Sequence, residues 1–128
     1  MVKPDTVAAG HVGDILALVE RNRFKIVRLT LTRFSKERAE RFYEMHRARP
    51  FFGDLVSYIT SGPVVAVEVE GEQAVTRIRE LIGATNPAEA RPGTVRAMYG
   101  KSLQNNAVHG SDSPESAEKE LEIAFAGT

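Results

Sequence analysis

The sequence contains no cysteine among its 128 residues. This absence excludes disulfide bonds, cysteine-ligated zinc sites and a thiol nucleophile. No apolar run approaches the ~18 residues that a membrane-spanning helix needs. Residues 1–5 also lack the apolar stretch of a signal peptide. We therefore expect a cytoplasmic protein with no membrane partner.

There is also no excess of either charge, since 17 lysines and arginines balance 17 aspartates and glutamates. A zero net charge gives no broad attraction to nucleic acid or to anionic lipid, although it is compatible with a local basic site. Hydrophobic residues make up 42% and charged residues 27% of the chain, which is typical of a globular protein. The length suits one core, so we expect a single domain over residues 1–128.

Three sequence motifs that would indicate a particular chemistry are absent. The chain has neither G-x-x-x-x-G-K-[ST] nor G-x-G-x-x-G, the two glycine-rich loops that cradle phosphates with backbone N–H groups. It also lacks the G-x-S-x-G turn of many serine hydrolases. Any bound nucleotide would therefore have to be held by side chains.

Hydrophobic periodicity predicts alternating helices and strands. Val27, Leu29 and Leu31 alternate with polar residues, which predicts a half-buried strand. Ser35 and Ser113 are expected to cap helices. The predicted elements are a helix at 11–22, a strand at 24–34, helices at 36–46 and from Pro50, a strand at 64–70, a helix ended by Gly83, a long loop at 84–106 with a short helix near 87–90, and a last helix at 114–125. This order favours an α+β fold, with helices on one face of a small, mostly antiparallel sheet.

Of the three histidines, His109 is the candidate for chemistry. His11 and His46 lie at helix ends, where a plain surface role is the better explanation, and their spacing does not fit a zinc site. His109 ends the long loop and precedes Gly110, an arrangement that can deliver a side chain into a cleft. A neutral imidazole can attack phosphorus near pH 7 without a base. A hydrogen-bonded structural histidine explains the local pattern about equally well.

Phosphoryl transfer requires charge neutralisation and positioning, and the chain offers scattered donors for both. They are Lys3, Arg79, Thr85, Arg96 and Asn106. Taken singly, each basic residue is better explained as a solvated surface charge. Tyr43 and Phe51 could stack on a base, although pattern alone favours core packing for them.

Residues 106–113, Asn-Ala-Val-His-Gly-Ser-Asp-Ser, resemble the active-site signature of nucleoside diphosphate kinases. Further blocks resemble that family in the same order along the chain. These are Val-Lys-Pro-Asp at 2–5, Arg-Pro-Phe-Phe at 49–52, Thr-Ser-Gly-Pro-Val at 60–64, Gly-Ala-Thr-Asn-Pro at 83–87 and Pro-Gly-Thr-Val-Arg at 92–96. The resemblance covers essentially the whole chain.

The resemblance implies a ferredoxin-like βαββαβ antiparallel sheet with added helices. It implies ping-pong transfer of a γ-phosphate from a nucleoside triphosphate to a nucleoside diphosphate, through a phosphohistidine formed at Nδ1 of His109. Ser111 and Glu120 match residues that support this histidine. The positions that match nucleotide contacts are Lys3, Tyr43, Phe51, Arg79, Thr85, Arg96 and Asn106. The resemblance further implies Mg²⁺ held by the nucleotide phosphates without a direct protein ligand, and a homo-oligomer, a tetramer or alternatively a hexamer.

The sequence departs from the family pattern at its start. Members usually carry several more apolar residues before the segment at 2–5, and these form a first strand, so either that strand is truncated here or its first residues are omitted from this numbering. This departure motivates a competing hypothesis, a catalytically weak or inactive nucleotide- or nucleic-acid-binding module on the same fold. The zero net charge and the retention of His109, Ser111 and Glu120 argue against it.

Overall fold

The structure is a computed structural model, and it describes residues 1–127. Helices in this part of the chain surround a small antiparallel sheet. The elements are α1 (Pro4–Ala8), α2 (Val12–Arg21), β1 (Lys25–Thr32), α3 (Lys36–Phe42), α4 (Phe52–Ile59), β2 (Val64–Glu70), α5 (Ala74–Ile82), α6 (Val95–Tyr99) and α7 (Pro114–Ala124). Two short 3₁₀ turns lie at Glu44–His46 and Pro87–Glu89.

The helix ends follow local chemistry. The Ser35 hydroxyl accepts a hydrogen bond from the Arg38 N–H, and the Ser113 hydroxyl accepts one from the Ser116 N–H, each at 3.1 Å. Both predicted caps are thus confirmed. Gly83 ends α5 with a φ of 95°, and a Cβ there would lie 2.6 Å from Thr94 Oγ1. Only glycine fits both this backbone conformation and this close approach.

The sheet pairs β1 with β2 in antiparallel fashion, from Lys25 opposite Glu70 to Thr32 opposite Val64. Beyond β2, Val2 forms isolated antiparallel bridges with Val65 on one side and with Val108 on the other. The spatial order is therefore β1, β2, Val2 and Val108. Two of the four strand positions that the resemblance implies are present as single-residue bridges rather than as regular strands.

The structure corrects the sequence prediction for β1. Val27, Leu29 and Leu31, expected on the buried side of the strand, are 43%, 51% and 65% exposed. Alternation assigns these residues to one face of the strand, but it does not determine which face the rest of the chain covers. In the described part of the chain, this apolar face stays open.

The predicted 84–106 loop and two helix bounds also need correction. The loop contains α6 in addition to the expected short turn near residue 87. Five residues are too few to show a helical period, but Thr94 caps α6 by accepting a hydrogen bond from the Ala97 N–H at 3.3 Å. The helix expected at 36–46 ends at Phe42 and continues only as a 3₁₀ turn, and α4 begins at Phe52 rather than at Pro50.

Two hydrophobic clusters pack around the sheet. One, which includes Phe34, Phe42, Ile59 and Phe125, joins α3, α4 and α7. The other, which includes Val2, Ile15, Val65, Ile82, Val95 and Val108, joins α2, α5 and α6. Within residues 1–127 no helix has the length and apolar character to cross a membrane.

Arg38 ties α3 to the end of α7. Its guanidinium donates to the carbonyl oxygens of Ile123 at 2.8 Å, of Ala126 at 3.1 Å and of Ala124. A cation at a helix carboxyl end satisfies carbonyl groups that have no partner within the helix. Because α7 carries Glu120, this contact helps to hold that carboxylate in place.

Candidate active site

His109 lies where the Val108 bridge ends and α7 comes close. Its Nε2 is 2.7 Å from Glu120 Oε1, and the Ser111 hydroxyl donates to the same oxygen at 2.6 Å. A carboxylate at Nε2 favours the tautomer that carries its proton on that nitrogen. The lone pair of the neutral ring then lies on Nδ1, which is the atom available for attack.

The protonation states of this pair suit a nucleophile. Burial lowers the pKa of His109 below its ordinary value, against the opposing effect of the Glu120 carboxylate. Burial disfavours the charged form of Glu120 as well, but the hydrogen bonds from His109 and Ser111 outweigh it and lower the pKa of Glu120. Near pH 7 the pair is therefore a neutral imidazole beside an ionised carboxylate.

Backbone pairing fixes the position of His109. Its N–H donates to the Met1 carbonyl at 2.8 Å. Two residues earlier, Ala107 has a φ of 76°, and the Val108 N–H donates to the Asn106 carbonyl at 2.9 Å. This three-residue turn is strained for a residue with a side chain. It places the Asn106 side chain and the His109 ring on the same short segment.

Lys3 and Asn106 form the buried part of a cationic site. Lys3 is 5% exposed, and its Nζ donates to Asn106 Oδ1 at 2.7 Å. Asn106 Nδ2 in turn donates to the Thr85 carbonyl at 3.1 Å. Burial, together with the nearby Arg96, lowers the pKa of Lys3 to about 8. The side-chain amide of Asn106 thus joins Lys3, which directly precedes α1, to Thr85, which follows α5.

Two arginines complete this site. Arg96 donates to the carbonyls of Gly83 at 3.0 Å and Val108 at 2.9 Å, whereas its buried Nε has no hydrogen-bond partner. Arg79 donates to the carbonyl of Gly110 at 3.3 Å. Burial and the charge of Arg79 lower the pKa of Arg96 to about 10. None of the ion pairs found in the described residues involves Lys3, Arg79 or Arg96, so this group of cations gives the site a positive potential.

A row of rings leads away from His109. The Tyr43 ring is buried, and its centroid lies 6.3 Å from that of His109. His46 follows at 6.4 Å from Tyr43, and Phe51 at 5.6 Å from His46. Phe51 is 45% exposed, so one ring at the end of the row can contact a ligand. Phe52 instead packs against the core.

An apolar cavity of about 170 Å³ also borders His109 and Glu120. Most of its lining is aliphatic, contributed by β2, α2, α5 and α7, with Val67, Ile78 and Leu121 among the residues. Such walls offer no charge to a phosphate. The cationic group of Lys3, Arg79 and Arg96 is therefore better suited than this cavity to an anionic ligand.

Nine of the ten site residues expected from sequence join one connected region by the contacts above. The tenth, Phe51, connects to it only through the ring of His46. The structure thus brings together residues from both ends of the chain and from the 84–106 segment.

Comparison with known proteins identifies the family. The family model described as nucleoside diphosphate kinase matches residues 1–128. The nucleoside diphosphate kinase of Halorhodospira halophila is 51% identical over 125 residues, which cover 98% of this chain and 89% of the relative. The enzyme of Archaeoglobus fulgidus is 52% identical over 126 residues, covering 98% and 83%. The chain belongs to the nucleoside diphosphate kinase family.

Solved structures of family members agree with this fold. The nucleoside diphosphate kinase of Aquifex aeolicus superposes with a TM-score of 0.95 at 47% identity, over 98% of this chain and 92% of that one. The Halobacterium salinarum enzyme, solved in complex with CDP, gives a TM-score of 0.93 at 42% identity, over 98% and 84%. The expected ferredoxin-like fold and the nucleoside diphosphate kinase activity are confirmed for this family member.

Sequence reasoning missed three residues that contact the site. The Phe42 ring meets the His109 ring edge-on at 5.0 Å between centroids. His46, interpreted as a surface residue, lies between Tyr43 and Phe51 in the row of rings. Tyr58 of α4 lies beside Lys3, with Nζ 5.6 Å from its ring centroid. Of the three, only His46 could have been predicted from the sequence, because it stands three residues after Tyr43, which places the two side chains on the same side of a helical turn.

Replacing Glu120 with glutamine should move the acidic limb of the activity profile. Because the Glu120 carboxylate raises the pKa of His109, its removal should lower that pKa further. His109 then stays neutral to lower pH, so the acidic limb of kcat/KM should move to lower pH. Activity should also fall, since the amide orients the ring less firmly.

The pH dependence of kcat/KM, measured for both half-reactions, checks this expectation. Glu118→Gln is the matched control, because Glu118 is an exposed glutamate on the same helix. An acidic limb that moves to higher pH in Glu120→Gln, or one that moves equally in the control, would contradict the assignment.

Proposed function

We propose that this chain transfers the γ-phosphate of a nucleoside triphosphate to a nucleoside diphosphate in two steps through a phosphohistidine at Nδ1 of His109. One observation carries the proposal, the 2.7 Å contact between His109 Nε2 and Glu120. This contact occupies Nε2 and leaves Nδ1 as the basic nitrogen of a neutral ring. Imidazole nitrogen is a sufficient nucleophile for phosphorus when the transition-state charge is neutralised.

In the first step, Nδ1 forms a bond to the γ-phosphorus while the bond from that phosphorus to the β-phosphate oxygen breaks. The nucleoside diphosphate leaves with the bonding electron pair. The ring keeps its Nε2 proton and becomes positive, and the ionised Glu120 carboxylate, held by Ser111, balances that charge. In the second step, a β-phosphate oxygen of another nucleoside diphosphate attacks the same phosphorus while its bond to Nδ1 breaks. The bonding electron pair returns to Nδ1, so His109 is again neutral beside the ionised Glu120.

Lys3, Arg79 and Arg96 would bind the phosphates, with further hydrogen bonds from Tyr43, Thr85 and Asn106. The absence of ion pairs to the three cations in the described region supports this role. Fixed cations aimed at the transferring group stabilise the charge that spreads over its oxygens in the transition state.

Mg²⁺ would enter with the nucleotide, held by phosphate oxygens, and would neutralise part of the phosphate charge when bound. In residues 1–127 no cluster of three histidine, cysteine, aspartate or glutamate side chains could hold a metal ion. The site instead concentrates cations, which fits an anionic ligand that brings its own metal. Lys3 and Arg96 would bind phosphate oxygens that the metal leaves free.

Phe51 would stack on the base at the end of the row of rings. Stacking uses the π-face that every base possesses, so this contact would tolerate any base. The complex of the Halobacterium salinarum enzyme with CDP supports a nucleotide ligand for this chain as well.

We also propose a cytoplasmic location, where the nucleotide pools that it would equilibrate are found.

We further propose that the chain forms a homo-oligomer, a tetramer with a hexamer as the alternative. The exposed apolar face of β1 supports this, since a row of Val27, Leu29 and Leu31 facing water favours association. Leu29→Lys should lower the mass measured by sedimentation equilibrium. Leu103→Lys, which changes an exposed leucine outside β1, should leave the mass unchanged. A monomeric wild type would contradict the proposal.

The test of the transfer itself uses the wild-type protein. Mixed with γ-labelled ATP and Mg²⁺, it should acquire an acid-labile, alkali-stable label, as expected for a phosphate on histidine nitrogen. Added GDP should then remove the label and become labelled GTP. A protein that binds nucleotide without acquiring label would be a binding module on this fold rather than a kinase.

A further inference from the structure

Lys3 is a buried cation whose charge is only weakly maintained. Burial and Arg96 lower its pKa to about 8, and the carboxylate of Asp5 is the group that opposes them. Its hydrogen bond goes to the neutral amide of Asn106. The amino-terminal amine also lies nearby, but burial and the charge of Lys3 lower its pKa to about 5, so it is neutral where Lys3 titrates. A feature that keeps Lys3 protonated and in place is therefore needed if it binds phosphate near pH 8.

Tyr58 contacts both Lys3 and the carboxylate that supports its charge. Its hydroxyl, from α4, donates a hydrogen bond to Asp5 Oδ1 in the first turn of α1. Its ring lies next to the ammonium, with Nζ 5.6 Å from the ring centroid. One half-buried side chain thus connects the cation with its counter-charge, across 53 residues of sequence. An ammonium beside an aromatic face is also stabilised by the ring electrons.

We propose that Tyr58 and Asp5 are positioning residues that hold the Lys3 ammonium charged and directed at the phosphate site. Neither residue needs to touch the nucleotide. Tyr58 orients the Asp5 carboxylate, and that carboxylate, with the ring, keeps Lys3 in place against the repulsion of Arg96. The inference rests on the proposed role of Lys3 as a phosphate ligand.

Four groups other than this pair bear on the titration of Lys3. Arg96 of α6 repels its charge, whereas the amino-terminal amine of Met1, whose pKa burial lowers to about 5, is neutral in this range. His109 is neutral near pH 7, and a charged Lys3 helps to keep it so. Asn106 accepts the hydrogen bond of the ammonium without a charge. Asp5 is thus the acidic group that supports Lys3, and Tyr58 is its hydroxyl donor.

The test is Tyr58→Phe, which removes the hydroxyl and keeps the ring. In kcat/KM, which reports the free enzyme, the alkaline limb should move to lower pH by roughly half a unit. Asp5→Asn should move it in the same direction by about one unit, because the charge itself is lost. At saturating nucleotide kcat should stay within about twofold, since bound phosphate then keeps Lys3 protonated.

Tyr99→Phe is the matched control. Tyr99 also donates to a carboxylate, Asp14 Oδ2, at 3.4 Å, but on the surface and away from Lys3. The alkaline limb of kcat/KM for Tyr99→Phe should coincide with that of the wild type. In a Lys3→Arg background, where the cation cannot lose its proton in this range, Tyr58→Phe should no longer move the limb.

Three outcomes would overturn the inference. These are an unmoved limb in both Tyr58→Phe and Asp5→Asn, an equal loss of kcat/KM at every pH, and a shift that persists with Lys3→Arg. If neither variant folds, NMR titration of labelled lysine in the wild type decides, and a Lys3 that titrates at the ordinary 10.5 overturns the proposal. A wild type that acquires no phosphate label would contradict the proposed function instead, and the Lys3 titration would still test the inference.

Discussion

Replacing His109 with alanine is expected to abolish the phosphoenzyme and to lower kcat by at least about 10⁴-fold, because loss of a nucleophile removes the covalent route altogether. The fold should survive. Glu120 keeps the hydrogen bond from Ser111 at 2.6 Å, and the backbone pairing of residue 109 with Met1 does not involve the side chain. Nucleotide binding should change little, since the phosphate-binding cations remain.

Rapid quenching after mixing with γ-labelled ATP measures the label, and a coupled assay measures turnover. His11→Ala is the control, since His11 stacks on Tyr99 at 4.5 Å between ring centroids and has no contact with the cationic site. It should label and turn over as the wild type does. Equal labelling of His109→Ala and wild type would remove His109 from the mechanism.

Arg96→Lys is expected to lower kcat/KM in both half-reactions by roughly 10²- to 10³-fold, the usual effect of losing a fixed charged donor at a transition state. The guanidinium donates to two carbonyls, those of Gly83 and Val108, which fix its orientation. A lysine offers a single point charge and cannot reproduce this geometry. The freed carbonyls should also cost roughly 2 kcal/mol of folding stability.

Single-turnover phosphorylation separates the loss of chemistry from the loss of stability, which thermal unfolding reports. Arg91→Lys, a change at an exposed arginine shortly before α6, should leave both unchanged. If Arg96→Lys retained kcat/KM within about twofold, Arg96 would be a structural residue only.

Local signals in the sequence predicted much of the fold. Caps at Ser35 and Ser113 and the break at Gly83 depend on interactions within a few residues, so they can be read from the chain itself. The same holds for β2, whose residues are β-branched and alternate. α6 was missed because five residues carry too little periodicity. The covered face of β1 was assigned wrongly, because the covering of a face depends on distant parts of the chain.

The site residues also divide into those that the sequence predicted and those that only the structure revealed. His109 was a candidate from chemistry and position, but the sequence pattern alone supported a structural histidine about equally well. Resemblance across the chain named the other site residues, and the structure places them in contact. Tyr58 could not be predicted, because nothing in the sequence relates α4 to Lys3. Asp5 stands in the same block as Lys3, but the block does not show that its carboxylate supports the ammonium.

By itself, the sequence determined the helix caps at Ser35 and Ser113, the helix end at Gly83, the β2 strand, the exclusion of thiol chemistry and, through its motifs, the family. These depend on composition and on neighbours within a few residues. The tertiary structure alone decided which group holds Nε2 of His109, the Glu120 carboxylate at 2.7 Å, and that Lys3 meets Asn106 across 103 residues. Such contacts arise from chain segments that only folding brings together, since no local preference encodes the distance between them.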